Sequence, residues 1–137
     1  MRLSLLLAVL VPLFGGAAAP EPMRSMMERV SPGLSEKVEI EITASGKDAP
    51  DWYELSSSVD NRPLIRSNSM VGAAVGLRRY LRDSAGVQLT WDGMEAALPR
   101  RLPGVGKAER MTCRARMRYY LNYCTYSYSM AYWDWDR

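Results

Sequence analysis

The 137-residue sequence has no histidine, only two cysteines and a single phenylalanine. Without histidine a Ser-His-Asp triad is impossible, and two cysteines cannot by themselves make up a zinc site. No Asn-x-Ser/Thr sequon occurs: Asn61 is followed by Arg-Pro, Asn68 by Ser-Met and Asn122 by Tyr-Cys. N-glycosylation therefore has no acceptor. The longest apolar stretch, Leu3 to Phe14, falls short of the roughly 20 residues of a membrane-spanning helix, which argues against a stable membrane anchor. No glutamate follows Glu109, so Asp134 and Asp136 are the only downstream side-chain carboxylates. Two residues apart on a helix, they face different ways and do not form an acid–base pair.

What is present fits one small domain. Apolar residues make up 47% and charged residues 24% of the chain, close to the averages for a globular protein. The net charge of +3 is spread unevenly, with acids between Glu36 and Asp60 and bases between Arg78 and Arg118. A basic stretch of this kind attracts phosphates, but no DNA- or RNA-binding motif accompanies it, so a solvated connector is the better reading and no nucleic-acid partner is expected.

Residues 1–19, MRLSLLLAVLVPLFGGAAA, have the order of a signal peptide: a positive start at Arg2, an apolar centre and a small-residue exit. Proline after the scissile bond is disfavoured, which places cleavage after Ala17 or Ala18. The expected destination is the secretory route, with a bacterial periplasm or the extracellular space favoured by the missing sequons and the lysosome the eukaryotic counterpart. Cys113 and Cys124 are free to pair in such an oxidising compartment.

Pro22 to Val30 reads as a short helix ended by Pro32-Gly33. Val38, Ile40 and Ile42 alternate with polar residues across Lys37 to Thr43, the period of a half-buried strand. Trp52 to Ser57 and Pro63 to Ser67 are further strands. Ser67-Asn68-Ser69 offers cap side chains to a helix from Met70, whose apolar positions Met70, Ala74, Leu77 and Leu81 recur at helical spacing. Arg78, Arg79, Arg82 and Asp83 form its polar face, and Gly86 is its left-handed stop. Val87 to Trp91 and Met94 to Leu98 read as strands around an Asp92-Gly93 turn.

Residues 99–110, PRRLPGVGKAER, combine Pro99, Pro103, Gly104 and Gly106 with Arg100, Arg101, Lys107 and Arg110, which is linker composition. Beyond it Arg114 to Tyr123 alternates as a strand, and MAYWDWDR opens a helix. The expected organisation is a signal peptide (1–19), an N-terminal α/β domain (20–98), a basic linker (99–112) and an incomplete further domain (113–137).

Arg118 to Arg137, RYYLNYCTYSYSMAYWDWDR, carries an Arg-Tyr-Tyr, an Asn-x-Cys-Thr, a Ser-Tyr-Ser and a Trp-Asp-Trp in succession. This run resembles the first strand, loop and helix start of the catalytic barrel in the α-N-acetylglucosaminidases, glycoside hydrolase family eighty-nine. Ser69 to Leu77 with Tyr80, Leu81 and Trp91 is similar to that family's small N-terminal domain. The resemblance implies an α+β fold, a small sandwich in which one main helix packs on a sheet, followed by the opening of a (β/α)8 barrel. It also implies retaining hydrolysis of terminal α-linked N-acetylglucosamine, with no cofactor or metal. Retaining chemistry needs two carboxyl groups about 5 to 5.5 Å apart. In this family both are glutamates on later barrel strands, so this chain is expected to stop short of them and to be inactive alone, needing the remainder of the catalytic domain.

By the same resemblance Asn122, Cys124 and Tyr128 form one wall of the sugar pocket. An Asn amide donates to and accepts from vicinal hydroxyls, and a Tyr adds a hydroxyl and a ring face. Read without the family, Asn122 is a turn residue, Tyr128 a core aromatic and Cys124 half of a bridge to Cys113; a pocket role for Cys124 argues against that bridge. Most of the tail's tyrosines and tryptophans are expected in packing. The rival function is a non-catalytic module that binds a carbohydrate or a protein, but an aromatic tail without a barrel to cover it is an aggregation liability, which favours the enzyme fragment.

Overall fold

Short-range chemistry places the elements of the computed structural model, which describes residues 19–46, 48–90, 93–94, 96–115 and 118–119. Helix α1 (Glu21–Val30) carries Pro22 in its first turn, where a missing N–H has no cost, and buries Met23 and Met27 one turn apart. Gly33, at φ 76°, turns the chain into a single helical turn, α2 (Leu34–Lys37). Glu28 ties the two together by accepting from the N–H groups of Gly33 and Ser35 at 2.7 and 3.1 Å. Bonds from Ser35 first, then Gly33, hold its carboxyl below the usual value.

Strands β1 (Glu39–Ile42), β2 (Trp52–Ser57) and β3 (Pro63–Ser67) follow, and a later strand, β6 (Glu109–Thr112), joins them in the order β1-β3-β2-β6. β1 runs parallel to β3, whereas β2 is antiparallel to both of its neighbours. The register sorts side chains into cross-strand rows. Ile40, Ile65 and Leu55 line up on the covered face, with Ser67, Tyr53 and Met111 in the next row. On the opposite face Glu41, Arg66, Glu54 and Arg110 alternate in sign across all four strands. Opposite charges on adjacent strands are mutually stabilising, which suits a face with little apolar surface to bury.

Helix α3 (Met70–Asp83) packs on the covered face. Ser69 caps it, its Oγ accepting from Gly72 N–H at 3.0 Å. The buried face is rolled from the expected one: Leu77 and Leu81 are inside and Ala74 packs against the core, but Met70 is 48% exposed, and Gly72, Ala73, Gly76 and Tyr80 take the inward positions. The cause is steric. A Cβ on Gly76 would stand 3.0 Å from Ile65 Cγ2 and 3.1 Å from the Tyr53 ring, so the two glycines let α3 press directly onto β2 and β3. The stripe of Met70, Val71 and Val75 is thereby rolled outward.

β4 (Leu89–Thr90) and β5 (Gly93–Met94) form a short hairpin, reduced from the longer strands expected, and the chain then returns to the core. This return corrects the linker reading of 99–112. Leu102 is 7% exposed within the hydrophobic core, and the hydroxyl of Tyr80 donates to the Pro103 carbonyl at 2.6 Å. Ser57 Oγ accepts from Val105 N–H at 2.7 Å. Glu109–Thr112 then pairs with β2 as the edge strand. The physical reason is that β2 has a free edge whose N–H and C=O groups need partners, and a short polar segment satisfies them. Arg114, Ala115, Arg118 and Tyr119, the described members of the expected strand from Arg114, are not in regular structure.

Candidate functional site

An open trough of about 890 Å³ lies beside β1 and β3, with Glu39, Glu41, Asp60, Arg24, Arg62 and Arg66 among its lining residues. Most of these charges are paired across strands. Arg62 pairs with Glu39 at 3.3 Å, and Arg66 pairs with Glu41 at 2.7 Å and with Glu54 at 3.7 Å. The bond from Glu41 is the main reason that the Arg66 guanidinium holds its proton more firmly than usual. Opposite charges on neighbouring strands stabilise the sheet, so these pairs serve the fold.

A second arrangement lies where the chain leaves the sheet, and it is built from segments distant in sequence. Of the cap candidates Ser67, Asn68 and Ser69, Ser69 takes the cap position, and the Asn68 side chain works as a bracket, with Oδ1 accepting from Trp52 N–H at 2.8 Å while Nδ2 donates to Pro50 O at 3.0 Å and Ser45 Oγ at 2.9 Å. Ser67, fully buried, donates its hydroxyl to Trp52 O at 2.6 Å. Cys113 N–H donates to Asp51 O at 2.7 Å, carrying the β2–β6 pairing one step beyond Trp52 and Thr112. The Arg110 guanidinium stacks on the Trp52 ring 3.8 Å from its centroid. Finally, the Asp51 carboxylate pairs with Arg118, the first residue of the Arg-Tyr-Tyr motif.

The β6 side of α3 is closed by Arg79, which reaches Glu109 Oε1 at 3.0 Å and Tyr53 Oη at 3.4 Å. Its guanidinium is held above its ordinary value by the bond to Tyr53 first, with Glu109 and Asp83 adding to it. Asn122, Cys124 and Tyr128 lie outside the described residues. Cys113 is partly exposed just past β6, with its Sγ 3.7 Å from the Ala115 carbonyl. Sequence reasoning passed over Asp51 and saw in Asn68 only a cap candidate. Neither sits in a periodic pattern, and both act only through residues brought to them by the fold.

A mixed four-stranded sheet with helices on one face, leading directly into the aromatic motif, defines this as a small α+β domain of the kind found at the N-terminus of family 89 glycoside hydrolases. Residues 21–104 match the family described as the α-N-acetylglucosaminidase (NAGLU) N-terminal domain, and the chain belongs to that family. Over 131 residues it is 37% identical to human α-N-acetylglucosaminidase, an alignment covering 90% of this chain and 18% of the human protein. Among solved structures, the family 89 glycoside hydrolase from Clostridium perfringens in complex with 2-acetamido-1,2-dideoxynojirmycin superposes with a TM-score of 0.72 at 32% identity, over 84% of this chain and 13% of that one. A form of the Clostridium enzyme with two glutamates changed to glutamine, in complex with its substrate GlcNAc-α-1,4-galactose, matches equally well. The chain thus spans less than a fifth of the length of these relatives.

Proposed function

We propose that this chain is the N-terminal portion of a secreted glycoside hydrolase that removes terminal α-linked N-acetylglucosamine with retention of configuration. The observation that carries the reading is the 37% identity to human α-N-acetylglucosaminidase, which runs over 90% of the chain and so extends past the N-terminal family match at residue 104. Arg118 to Arg137 opens the catalytic barrel, and Asn122, Cys124 and Tyr128 contribute one wall of the sugar pocket. The acid/base and the nucleophile come from elsewhere, since no glutamate follows Glu109 and the acids of the sheet are held in ion pairs. Residues 1–19 act as the signal peptide that delivers the protein to the secretory route.

The test compares the 137-residue chain with the longer product obtained by extending its reading frame. The chain alone turns over no aryl α-N-acetylglucosaminide above buffer. The longer protein does, and releases the sugar first as the α-anomer, as followed by proton NMR. Turnover by the short chain, or β-anomer from the long one, contradicts the proposal.

A further inference from the structure

The two sides of the sheet treat apolar surface differently. On the open face the row Glu41, Arg66, Glu54 and Arg110 is charged throughout, and the Arg110 guanidinium covers the Trp52 ring. On the α3 side three large apolar side chains stand in solvent: Val71 is 55% exposed, Val75 48% and Met111 40%. Their neighbours place them together. Gly76 sits against the ring of Tyr53, the residue that Met111 faces across the β2–β6 ladder, and Arg79, one turn beyond Val75, reaches Glu109 on β6 at 3.0 Å. Residues four apart share a helix face, so Val71, Val75 and Arg79 form one line along the β6 side of α3, with Val75 level with Met111. The Arg79–Glu109 pair closes one end of this strip, and at the other end the chain leaves β6 through Thr112 and Cys113. β6 is also the last strand of its sheet and pairs only with β2 among the described residues.

We infer that Val71, Val75 and Met111 form a docking strip that is covered by the remainder of the catalytic domain, seated against α3 and the β6 edge. This rests on the reading of the chain as the N-terminal portion of a longer hydrolase. Two observations select that occupant. The alignment covers 18% of the human relative, so most of that protein's length lies outside this domain. The chain also leaves the sheet at the open end of the strip, so the next domain is tethered beside it. Single apolar residues are ordinary on a surface. Three that adjoin on a helix and an edge strand, next to uncovered backbone groups, make up the surface that a neighbouring domain covers.

Oxidation by dilute hydrogen peroxide, followed by peptide mass spectrometry and normalised to free methionine in the same sample, reads the covering directly. In the 137-residue chain Met111 is oxidised readily, and in the longer protein obtained by extending the reading frame it is slowed on the order of tenfold. Equal Met111 rates in the two proteins overturn the docking strip. Val75→Arg changes an exposed position, so it shifts the Tm of the 137-residue chain by no more than about 4 °C, while in the longer protein it returns Met111 oxidation toward the rate of the short chain. Met111 protection that is indifferent to Val75→Arg overturns the proposal as well. So does a 137-residue chain that sediments as a dimer with Met111 already protected, because the occupant is then a second copy. A longer protein that shields Met111 but turns over no aryl α-N-acetylglucosaminide refutes the proposed function and leaves the strip standing, whereas an active one with Met111 unshielded does the reverse.

Discussion

Gly72 and Trp52 approach across the helix–sheet interface more closely than any side chain permits. A Cβ on Gly72 would lie 2.8 Å from the Trp52 carbonyl oxygen and 2.4 Å from Ser67 Oγ. The same carbonyl accepts the Ser67 hydroxyl, so the first turn of α3, the end of β3 and the start of β2 meet at one crowded point. That point lies next to Asp51, whose carbonyl accepts from Cys113 N–H at 2.7 Å.

Gly72→Ala and Gly76→Ala should therefore differ. Each gains about 1 kcal/mol of helix propensity, against an overpacking cost of about 1–3 kcal/mol. At Gly72 the obstacle includes a backbone carbonyl that cannot step aside, and a net loss of about 1–2 kcal/mol is expected. At Gly76 the contacts are side-chain atoms of Ile65 and Tyr53 at 3.0 and 3.1 Å, which yield by a few tenths of an ångström, and the change should be near neutral. Urea midpoints for the two variants check the order, and equal midpoints would refute it.

Ser69→Ala removes the side-chain acceptor for Gly72 N–H and should cost about 1 kcal/mol, while Ser69→Asp, which keeps an acceptor, should cost little. Thermal unfolding separates the two, since 1 kcal/mol corresponds to roughly 4–8 °C in a domain this small.

Tyr80 carries a pH signature. Burial pushes its phenol up to about 12, so in alkali the unfolded chain releases this proton before the folded one does. The neutral phenol's contribution is complete below pH 10 and is lost as pH rises from about 10 to 12. Tyr80→Phe, which also strips the Pro103 carbonyl of its donor, should cost about 1–2 kcal/mol at neutral pH and show a shallower alkaline decline than the parent. Parallel pH profiles for the two proteins would contradict this.

Leu102→Ala asks whether 99–105 belongs to the folded core. A buried leucine cut back to alanine costs about 2–5 kcal/mol, whereas a solvated linker position changes stability by no more than about 0.5 kcal/mol. Its 7% exposure predicts the larger value, and denaturant unfolding monitored by circular dichroism gives the answer.

How far these features were readable from sequence depended on the range of the interactions behind them. Trp52–Ser57 and Pro63–Ser67 form strands as expected, because β-branched and aromatic residues between turn-forming stretches express their preference locally. α3 was recognisable from its cap and spacing, but its roll was not. Apolar periodicity favoured Met70, while the buried side was decided by where two glycines allow contact with Ile65 and Tyr53. The sequence Glu109-Arg-Met-Thr112 has no apolar alternation and is exposed throughout, so only the vacant edge of β2 makes it a strand.

By itself the sequence determined the absence of histidine, the lack of any glutamate beyond Glu109, the helix cap at Ser69 and the motifs by which the family was recognised. Each depends on residue identity or on neighbours a few positions away. Only the tertiary structure decided that Leu102 to Thr112 joins the sheet domain, which side of α3 faces inward, and that Asp51 meets Arg118. The physical reason is distance along the chain. Ser57 and Val105 are 48 residues apart, and a strand edge, a helix roll or an ion pair of that span is settled by packing, which no local preference encodes.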